Sequence, residues 1–313
     1  MISVLIPSNL SERLDSLRSA LRFLYDNGFT GEIIVGVWGG YDHIGAVMRE
    51  FRGVRFIRQD GADLFTTRAL ELAWATTGDH LIQIGDDDYL VPDALTKMAA
   101  LLTDPTVFSC QGRTLQIFTG GDMRLMMFPQ WPADEADTLT RYANYLQHTG
   151  QMFHAMMRRS DFIAKLRYMD AAMRATNNHV WFEIIGEFYT LIKGRFCIIE
   201  DVFILRGKHA KNTSRELLRD EHMSMFPFHL LSDEFTTHYK FFEAQVMELF
   251  ASVGVDPVAN RIPILSGILH CIGSVIYGLR GPPSREEQYL RQRVGSCDPA
   301  ILALVDMVAR ARR

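Results

Sequence analysis

Three consecutive aspartates, Asp86, Asp87 and Asp88, are the residues of this sequence best suited to chemistry. They directly follow a short apolar segment, residues 81–84, whose composition predicts a buried β-strand. Adjacent carboxylates repel one another unless a cation lies among them. Mg²⁺ or Mn²⁺ fits this need, because hard cations prefer oxygen ligands and keep waters and substrate phosphates in their shells. The run therefore predicts a divalent-metal site that stabilises a diphosphate leaving group. The alternative is a solvated turn whose aspartates cap the next helix.

The elements around the aspartates alternate between short apolar strands and amphipathic helices. Strands are predicted at residues 3–6, 32–37, 54–58 and 81–84, and helices at 11–25, 44–51 and 64–76. Such alternation predicts an α/β fold with a mostly parallel sheet flanked by helices. In open sheets of this kind, ligands bind beyond the carboxyl ends of the strands. The polar or glycine-bearing turns at those ends contain Pro7, Ser8, Asn9, Trp38, Gly39 and the aspartates.

The rest of the chain changes character near residue 215. Further strands are predicted at residues 107–118, 151–157 and 196–205, and helices at 92–101, 138–146 and 181–193. Beyond this point the pattern is helical only. We therefore expect one domain over residues 1–215 and a helical region over 216–313 that covers the acceptor side, forms a homodimer or contacts a membrane. The apolar segment 262–279 contains Pro263, His270 and glycines, which favours a buried helix over a membrane span.

The bulk composition excludes some classes of partner. The formal charge of the 313-residue chain is −4, without a basic run typical of nucleic-acid binding, so no nucleic-acid partner is expected. The four cysteines lie far apart, which favours free thiols in a reducing compartment. The first residues are typical of a strand and not of a signal peptide. We expect a cytoplasmic protein, with peripheral contact at the inner membrane face as a further expectation supported by the basic ending 310–313.

The aspartate run and the segment after it resemble a known signature. Asp86-Asp87-Asp88 followed by Tyr89-Leu90-Val91-Pro92-Asp93-Ala94-Leu95 is similar to the Asp-x-Asp element and helix start of GT-A-fold glycosyltransferases, particularly the family 2-like group. Four other segments match that group in order: residues 3–8, 67–69, 150–160 and 194–214. The resemblance covers roughly residues 2–215.

This resemblance implies a metal-dependent, inverting glycosyltransferase of bacterial polysaccharide biosynthesis. The donor would be a UDP- or GDP-sugar, and the acceptor a saccharide or a lipid-linked glycan. Nucleotide or diphosphate contacts are expected from Pro7, Ser8, Asn9, Trp38, Gly39, Arg68, Asp86, Asp87, Arg158 and Lys208. Metal ligands are expected among Asp86, Asp87, Asp88 and His209, and the register within the aspartate run stays open. A basic surface loop is the alternative interpretation of the segment around Lys208 and His209.

An inverting transfer needs a group that removes the proton of the acceptor hydroxyl. In the family this acid lies about eleven residues before a glycine that ends its helix, so counting back from Gly194 indicates Glu183. Phe182 stands where a companion acid is frequent. Glu187, one turn later, is the reserve candidate, and His179 is a further proton acceptor.

One departure from the family leaves alternatives open. The segment 37–42 has no aspartate in the first positions where the family reads the nucleobase, and Trp38 either stacks on the base or packs in the core. A non-catalytic binding module on the same fold is one alternative function. A sugar nucleotidyltransferase is another, which the absence of glycine from residues 7–13 disfavours.

Overall fold

The structure is a computed structural model that describes residues 1–39, 41, 44–61, 64–118, 124–127, 131–146, 152, 154–177, 179–208, 233–277 and 299–311. Its strands are β1 (Ile2–Asn9), β2 (Glu32–Trp38), β3 (Arg55–Arg58), β4 (His80–Gln83), β5 (Asp88–Leu90), β6 (Val107–Phe118), β7 (Arg124–Met127), β8 (Met156–Arg158) and β9 (Arg195–Lys208). Its helices are α1 (Leu10–Asp26), α2 (Gly45–Glu50), α3 (Phe65–Ala75), α4 (Pro92–Leu101), α5 (Thr138–Leu146), α6 (Arg159–Thr176), α7 (His179–Lys193), α8 (Asp233–Ser252), α9 (Arg261–Tyr277) and α10 (Pro299–Ala311).

The first four strands form the parallel half of one sheet. Strand β1 pairs in parallel with β2 and β4, and β2 pairs in parallel with β3. The predicted α/β fold class and alternation are confirmed here, with element ends shifted by a few residues. The largest shift is at the end of β1, which continues through Pro7 to Asn9, opposite Trp38 of β2. Pro7 is tolerated in this central strand because β4 pairs only as far as Leu5, so no partner there needs its missing N–H.

The second half of the sheet is antiparallel in most of its pairings, so the sheet is mixed. The strand order is β3-β2-β1-β4-β8-β6-β9-β5, with β7 paired to β6. Strand β8 pairs antiparallel to β4 and β6, while β5 pairs antiparallel to the end of β9. Only β6 and β9 pair in parallel in this half of the described sheet. The predicted strand 151–157 is shorter than expected, and the segment after it is the long helix α6.

One apolar cluster beneath the sheet joins α3, α5, α6 and α7 to the helices α8 and α9. Aromatic rings dominate it, and Tyr142, Trp181, Phe188 and Phe242 are all nearly inaccessible to solvent. Ring centroids of Tyr142 and Phe188 lie 5.3 Å apart in an edge-to-face arrangement, and those of Trp181 and Phe242 lie 5.1 Å apart. This packing fixes the position of α7.

Most of the described residues beyond 232 lie in the helices α8, α9 and α10. Helix α9 buries Ile264, Ile268 and Cys271 against this cluster and exposes Ile262 and Leu269, so the expected buried helix is buried on one face over residues 262–272. No helix in the described part of the chain is both long and apolar enough to cross a membrane. Helix α10 packs on α1 at the other side of the sheet. The division near residue 215 stays a prediction.

Gly267 allows α9 to lie close to α5. A β-carbon at this position would lie 2.4 Å from Cε1 of Tyr142 and 2.5 Å from Cδ1 of Leu146. We predict that Gly267→Ala lowers the free energy of unfolding by about 1–3 kcal/mol, because the tightly packed ring cannot move away cheaply. Urea denaturation measures this. The matched control is Gly61→Ala, where a β-carbon meets nothing within 4 Å and little change is expected.

Candidate functional site

The end of β1 and the turn after β4 meet through a buried hydrogen bond. The Ser8 hydroxyl donates to Oδ2 of Asp86 at 2.6 Å, and both side chains are almost fully buried. Both residues lie at the carboxyl ends of adjacent parallel strands, where the alternating pattern predicted a site.

Helix α1 supplies a cation to the same carboxylate. Arg13 lies in the first turn of the helix and donates from Nη1 to Oδ1 of Asp86 at 2.7 Å. The same nitrogen lies 3.8 Å from Oδ1 of Asp87. Burial raises the pKa of the Asp86 carboxyl, and the Arg13 charge and the Ser8 hydrogen bond oppose that shift. Asp86 is therefore held by two neighbours within the protein.

Asp88 begins β5 and is opposite Arg206 of β9. Its carboxyl is 3 % exposed, its Oδ2 accepts a hydrogen bond from the Gly85 amide at 3.2 Å, and its Oδ1 lies 3.7 Å from Nε of Arg206. Burial is the main cause that raises the pKa of Asp88 to about 6; the charge of Arg206 opposes this shift, and the neighbouring aspartates add to it. A buried carboxylate at this edge of the sheet offers oxygen ligands of the kind that a hard divalent cation prefers.

The alternative of a solvated capping turn is not what the structure contains. Asp86 and Asp88 are buried, and helix α4 starts after Val91 without a side-chain cap. Nor do the three aspartates converge on one point: within the described ranges, no three His, Cys, Asp or Glu side chains are grouped closely enough to hold a metal. A cation held by one or two carboxylates, with substrate oxygens and waters completing its shell, remains compatible with this arrangement.

The ends of β1 and β2 form a second part of the site. Trp38 is half-buried, and the Arg68 guanidinium of α3 lies over its ring at 4.4 Å from the centroid. Gly39 has a positive φ of 62°, and a β-carbon there would lie 2.8 Å from Oδ1 of Asn9. The turn therefore depends on glycine, and Trp38 is held by a cation–π contact. Pro7 is buried within β1 one position before Ser8.

Glu183 lies in the first part of α7 and faces the charge of Arg206. Its side chain is exposed to solvent, yet the surrounding protein raises the pKa of its carboxyl, and Arg206 opposes this shift. Water therefore reaches the side chain while protein surrounds much of the carboxyl group. The charge of Arg206 thus acts on the carboxyl groups of both Asp88 and Glu183.

Glu187, the reserve candidate, has different neighbours. Its charge acts on the ammonium group of Lys165, a buried side chain of α6, and on the Cys271 thiol of α9. Burial lowers the pKa of Lys165 to about 8, and Glu187 opposes that shift. Glu187 therefore serves as the counter-charge of a buried lysine in the helical layer.

Arg158 lies at the opposite edge of the sheet, so its expected contact with the nucleotide is not found. It is opposite His80, the first residue of β4. Its guanidinium donates to the carbonyl oxygens of Leu102, Asp104 and Val107 at 2.7–2.9 Å. These bonds satisfy carbonyl groups after the end of α4, which explains why an arginine is needed there.

Two expected residues cannot be placed in the site. The backbone of Lys208 ends β9, but its side chain lies outside the described part of the structure. His209 also lies outside the described residues. Their predicted roles at the diphosphate and the metal stay predictions.

The sequence comparison decides the family. Residues 3–164, just over half of the chain, match the sequence profile described as Glycosyl transferase family 2. The chain belongs to this family. No curated protein sequence matches the chain significantly.

Solved structures share the fold of this glycosyltransferase family 2 member. The Staphylococcus aureus TarS 1-349 structure in complex with UDP-GlcNAc has a TM-score of 0.51 and 11 % identity, and the match covers 99 % of this chain and 89 % of that chain. The structure of GalNAc-T7 with UDP, GalNAc and Mn²⁺ has a TM-score of 0.53 and 13 % identity, over 90 % of this chain and 59 % of that chain. Identities this low establish the GT-A fold alone.

Sequence reasoning missed the roles of Arg13 and Arg206. Arg13 could have been found, because it lies one turn beyond the end of β1 at the edge where the turns meet. Arg206 could not, because its position opposite Asp88 depends on the three-residue strand β5.

A buried histidine contacts the end of β4, the strand that leads into the aspartate run. Nδ1 of His154 lies 2.8 Å from the carbonyl oxygen of Gln83, the last residue of β4. Burial lowers the pKa of His154 to about 3, with the Arg206 charge adding to the shift. The neutral ring is thus the form that the fold stabilises.

This histidine gives the stability a defined pH dependence. The folded-state pKa lies below the unfolded value near 6.5, so stability is fully present above about pH 6.5 and is lost as the pH falls. We predict that His154→Gln reduces the slope of unfolding free energy against pH between about 6.5 and 5 by up to ~1.4 kcal/mol per pH unit. Denaturant titrations at several pH values measure this. The control, His270→Gln, changes an exposed histidine of α9; an equal effect there contradicts the assignment.

Proposed function

We propose that this glycosyltransferase is metal-dependent and inverting, and that it transfers a sugar from a UDP- or GDP-sugar to a saccharide or lipid-linked glycan. The observation that carries the proposal is that Asp88 and Glu183 both face Arg206. This shared electrostatic partner supports the proposal that a donor-side carboxylate and a candidate base act in one cleft at the carboxyl edge of the sheet.

The donor half of the cleft matches the needs of a nucleoside diphosphate. Asp87 and Asp88 would hold Mn²⁺ or Mg²⁺, which supplies positive charge to the departing diphosphate. The Arg68 guanidinium holds the ring of Trp38 at the end of β2 by a cation–π contact. This ring would provide an aromatic face for the nucleoside. The Mn²⁺ and UDP of the GalNAc-T7 structure, and the UDP-GlcNAc of the TarS structure, support this choice of ligands.

Glu183 supplies the proton acceptor. The pKa of its carboxyl is raised toward neutral pH, and a general base is most effective when its pKa lies near the working pH. It removes the proton of the acceptor hydroxyl as that oxygen forms its bond to the anomeric carbon. The bond from this carbon to the diphosphate oxygen breaks on the opposite face, so the configuration inverts. The Arg206 charge keeps enough of Glu183 ionised for this step.

The setting of the reaction is part of the proposal. We place the enzyme in bacterial polysaccharide biosynthesis, in the cytoplasm. Val258, Ile262 and Leu269 are exposed on and before α9, at 82, 83 and 58 %. This apolar surface supports peripheral contact at the inner membrane face when the acceptor is lipid-linked, or a homodimer.

The donor site is tested by calorimetric titration of UDP and GDP, each with and without Mn²⁺. We predict that one diphosphate binds, that Mn²⁺ strengthens its binding, and that Asp88→Asn weakens metal-supported binding at least about tenfold. Asp93→Asn, in the first turn of α4, is the control and should bind as the native protein does. Failure of both diphosphates to bind under every condition would instead favour the non-catalytic binding module.

The base is tested by release of UDP from UDP-GlcNAc, with water as acceptor. We predict that Glu183→Gln lowers kcat by about 10²–10⁴-fold while the affinity for UDP changes little, because the variant loses only proton transfer. Glu187→Gln should lose much less, because Glu187 faces Lys165. The opposite ranking of the two variants assigns the base to Glu187.

A further inference from the structure

A small cavity between β4, α3 and α6 is lined by polar groups that the proposed reaction does not use. Gln83, the last residue of β4, and Lys165 of α6 both line it, and each is only 3 % exposed. Phe65 and Thr66, the first two residues of α3, line the same cavity. The remaining wall consists of apolar side chains of α3 and α6. A buried ammonium group, a buried amide and the start of a helix therefore surround one space.

The polar groups of Lys165 and Gln83 lack protein partners in this space. Among the residues that the structure describes, neither the Lys165 ammonium nor the side-chain amide of Gln83 has a hydrogen-bond partner. The stem of Lys165 passes over Gly186 of α7, where a β-carbon would lie 3.3 Å from its Cε. The charge of Glu187 acts on the ammonium, but no ion pair joins these two side chains in the described structure. N–H donors buried in this way cost free energy unless an occupant of the cavity accepts from them.

The charge around the cavity favours an anion over a water molecule. Helix α3 begins without a side-chain cap, so its first N–H groups and the positive end of its dipole lie at the cavity wall. The hydroxyls of Thr66 and Thr67 donate to Asp170 at 2.8 Å, but this carboxylate is not part of the cavity wall. A water molecule would supply acceptors without charge. An anion would compensate the ammonium and the helix start together.

The size of the cavity restricts the anion to a single atom. The space for the centre of a water-sized occupant is about 10 Å³, which corresponds to one water molecule or one ion of similar radius. A phosphate group or a substrate carboxylate is too large for it. Chloride is the abundant anion that matches both the size and the charge.

We propose that this cavity is a chloride site, in which the Lys165 ammonium and the Gln83 amide bind one ion at the start of α3. The ion joins β4, α3 and α6 beneath the strand that leads into the aspartate run. Its role is structural, because it supplies the acceptor that the buried ammonium needs. The inference does not depend on the proposed metal, donor or base.

Thermal unfolding at about 5 and about 200 mM chloride tests the site, with gluconate added to keep the ionic strength constant. We expect chloride to raise the Tm of the native protein by at least about 2 °C, because it binds only the folded state. Lys165→Met removes the charge and keeps an unbranched side chain, so it should lose this rise. The matched control, Lys97→Met, should keep it, because Lys97 is exposed on α4 and pairs with Asp201 at 2.5 Å.

Crystals of the native protein grown with bromide in place of chloride locate the ion, because bromide scatters anomalously. We expect an anomalous peak between Lys165 and Gln83. A chloride-specific rise in Tm that persists in Lys165→Met, or bromide peaks on the protein surface alone, overturns the inference. Absence of both the rise and the peak also overturns it and assigns the cavity to water. If Lys165→Met does not fold, the bromide peak of the native protein decides the question.

Discussion

Compensation of negative charge at the end of β4 is the constraint on which this structure depends. Three carboxylates occupy consecutive positions there, and two of them are buried. Repulsion and desolvation would open such a turn unless cations were held against it. Two arginines provide them, one from the helix that follows the first strand and one from the last strand of the sheet. Distant parts of the chain are thereby fixed around a single turn.

The same arrangement connects the two parts of the proposed site. Strand β9 starts immediately after α7 and ends beside β5. One continuous segment therefore connects the helix that carries Glu183 to the strand that carries Arg206. The aromatic cluster beneath the sheet holds α7 in place from the other side. The groups proposed to act on donor and acceptor are positioned by this core, which includes the helices α8 and α9.

The predictable part of this structure is the part with strong local periodicity. The four parallel strands, most helices and the convergence of Ser8 with Asp86 follow from apolar alternation and from the geometry of parallel sheets. The pairing of the short strands β5 and β8 could not be predicted. Three residues are too few to show an alternation of apolar and polar side chains, and the partner strands lie far away in sequence. The Arg158 prediction was misplaced for a related reason: a two-arginine motif does not indicate which edge of the sheet it joins. Arg158 serves carbonyl groups at the far edge.

The long pairing of β6 with β9 has a consequence for how the chain can vary in length. Its register shifts at three places, between Val107 and Ser109, between Gln111 and Arg113, and between Arg113 and Thr114. Successive side chains in a strand point to opposite faces, so one inserted residue between Gly194 and Arg206 would turn Arg206 away from Asp88. Only a further irregularity could absorb such an insertion. The number of residues in this strand is therefore as constrained as the identity of the arginine near its end.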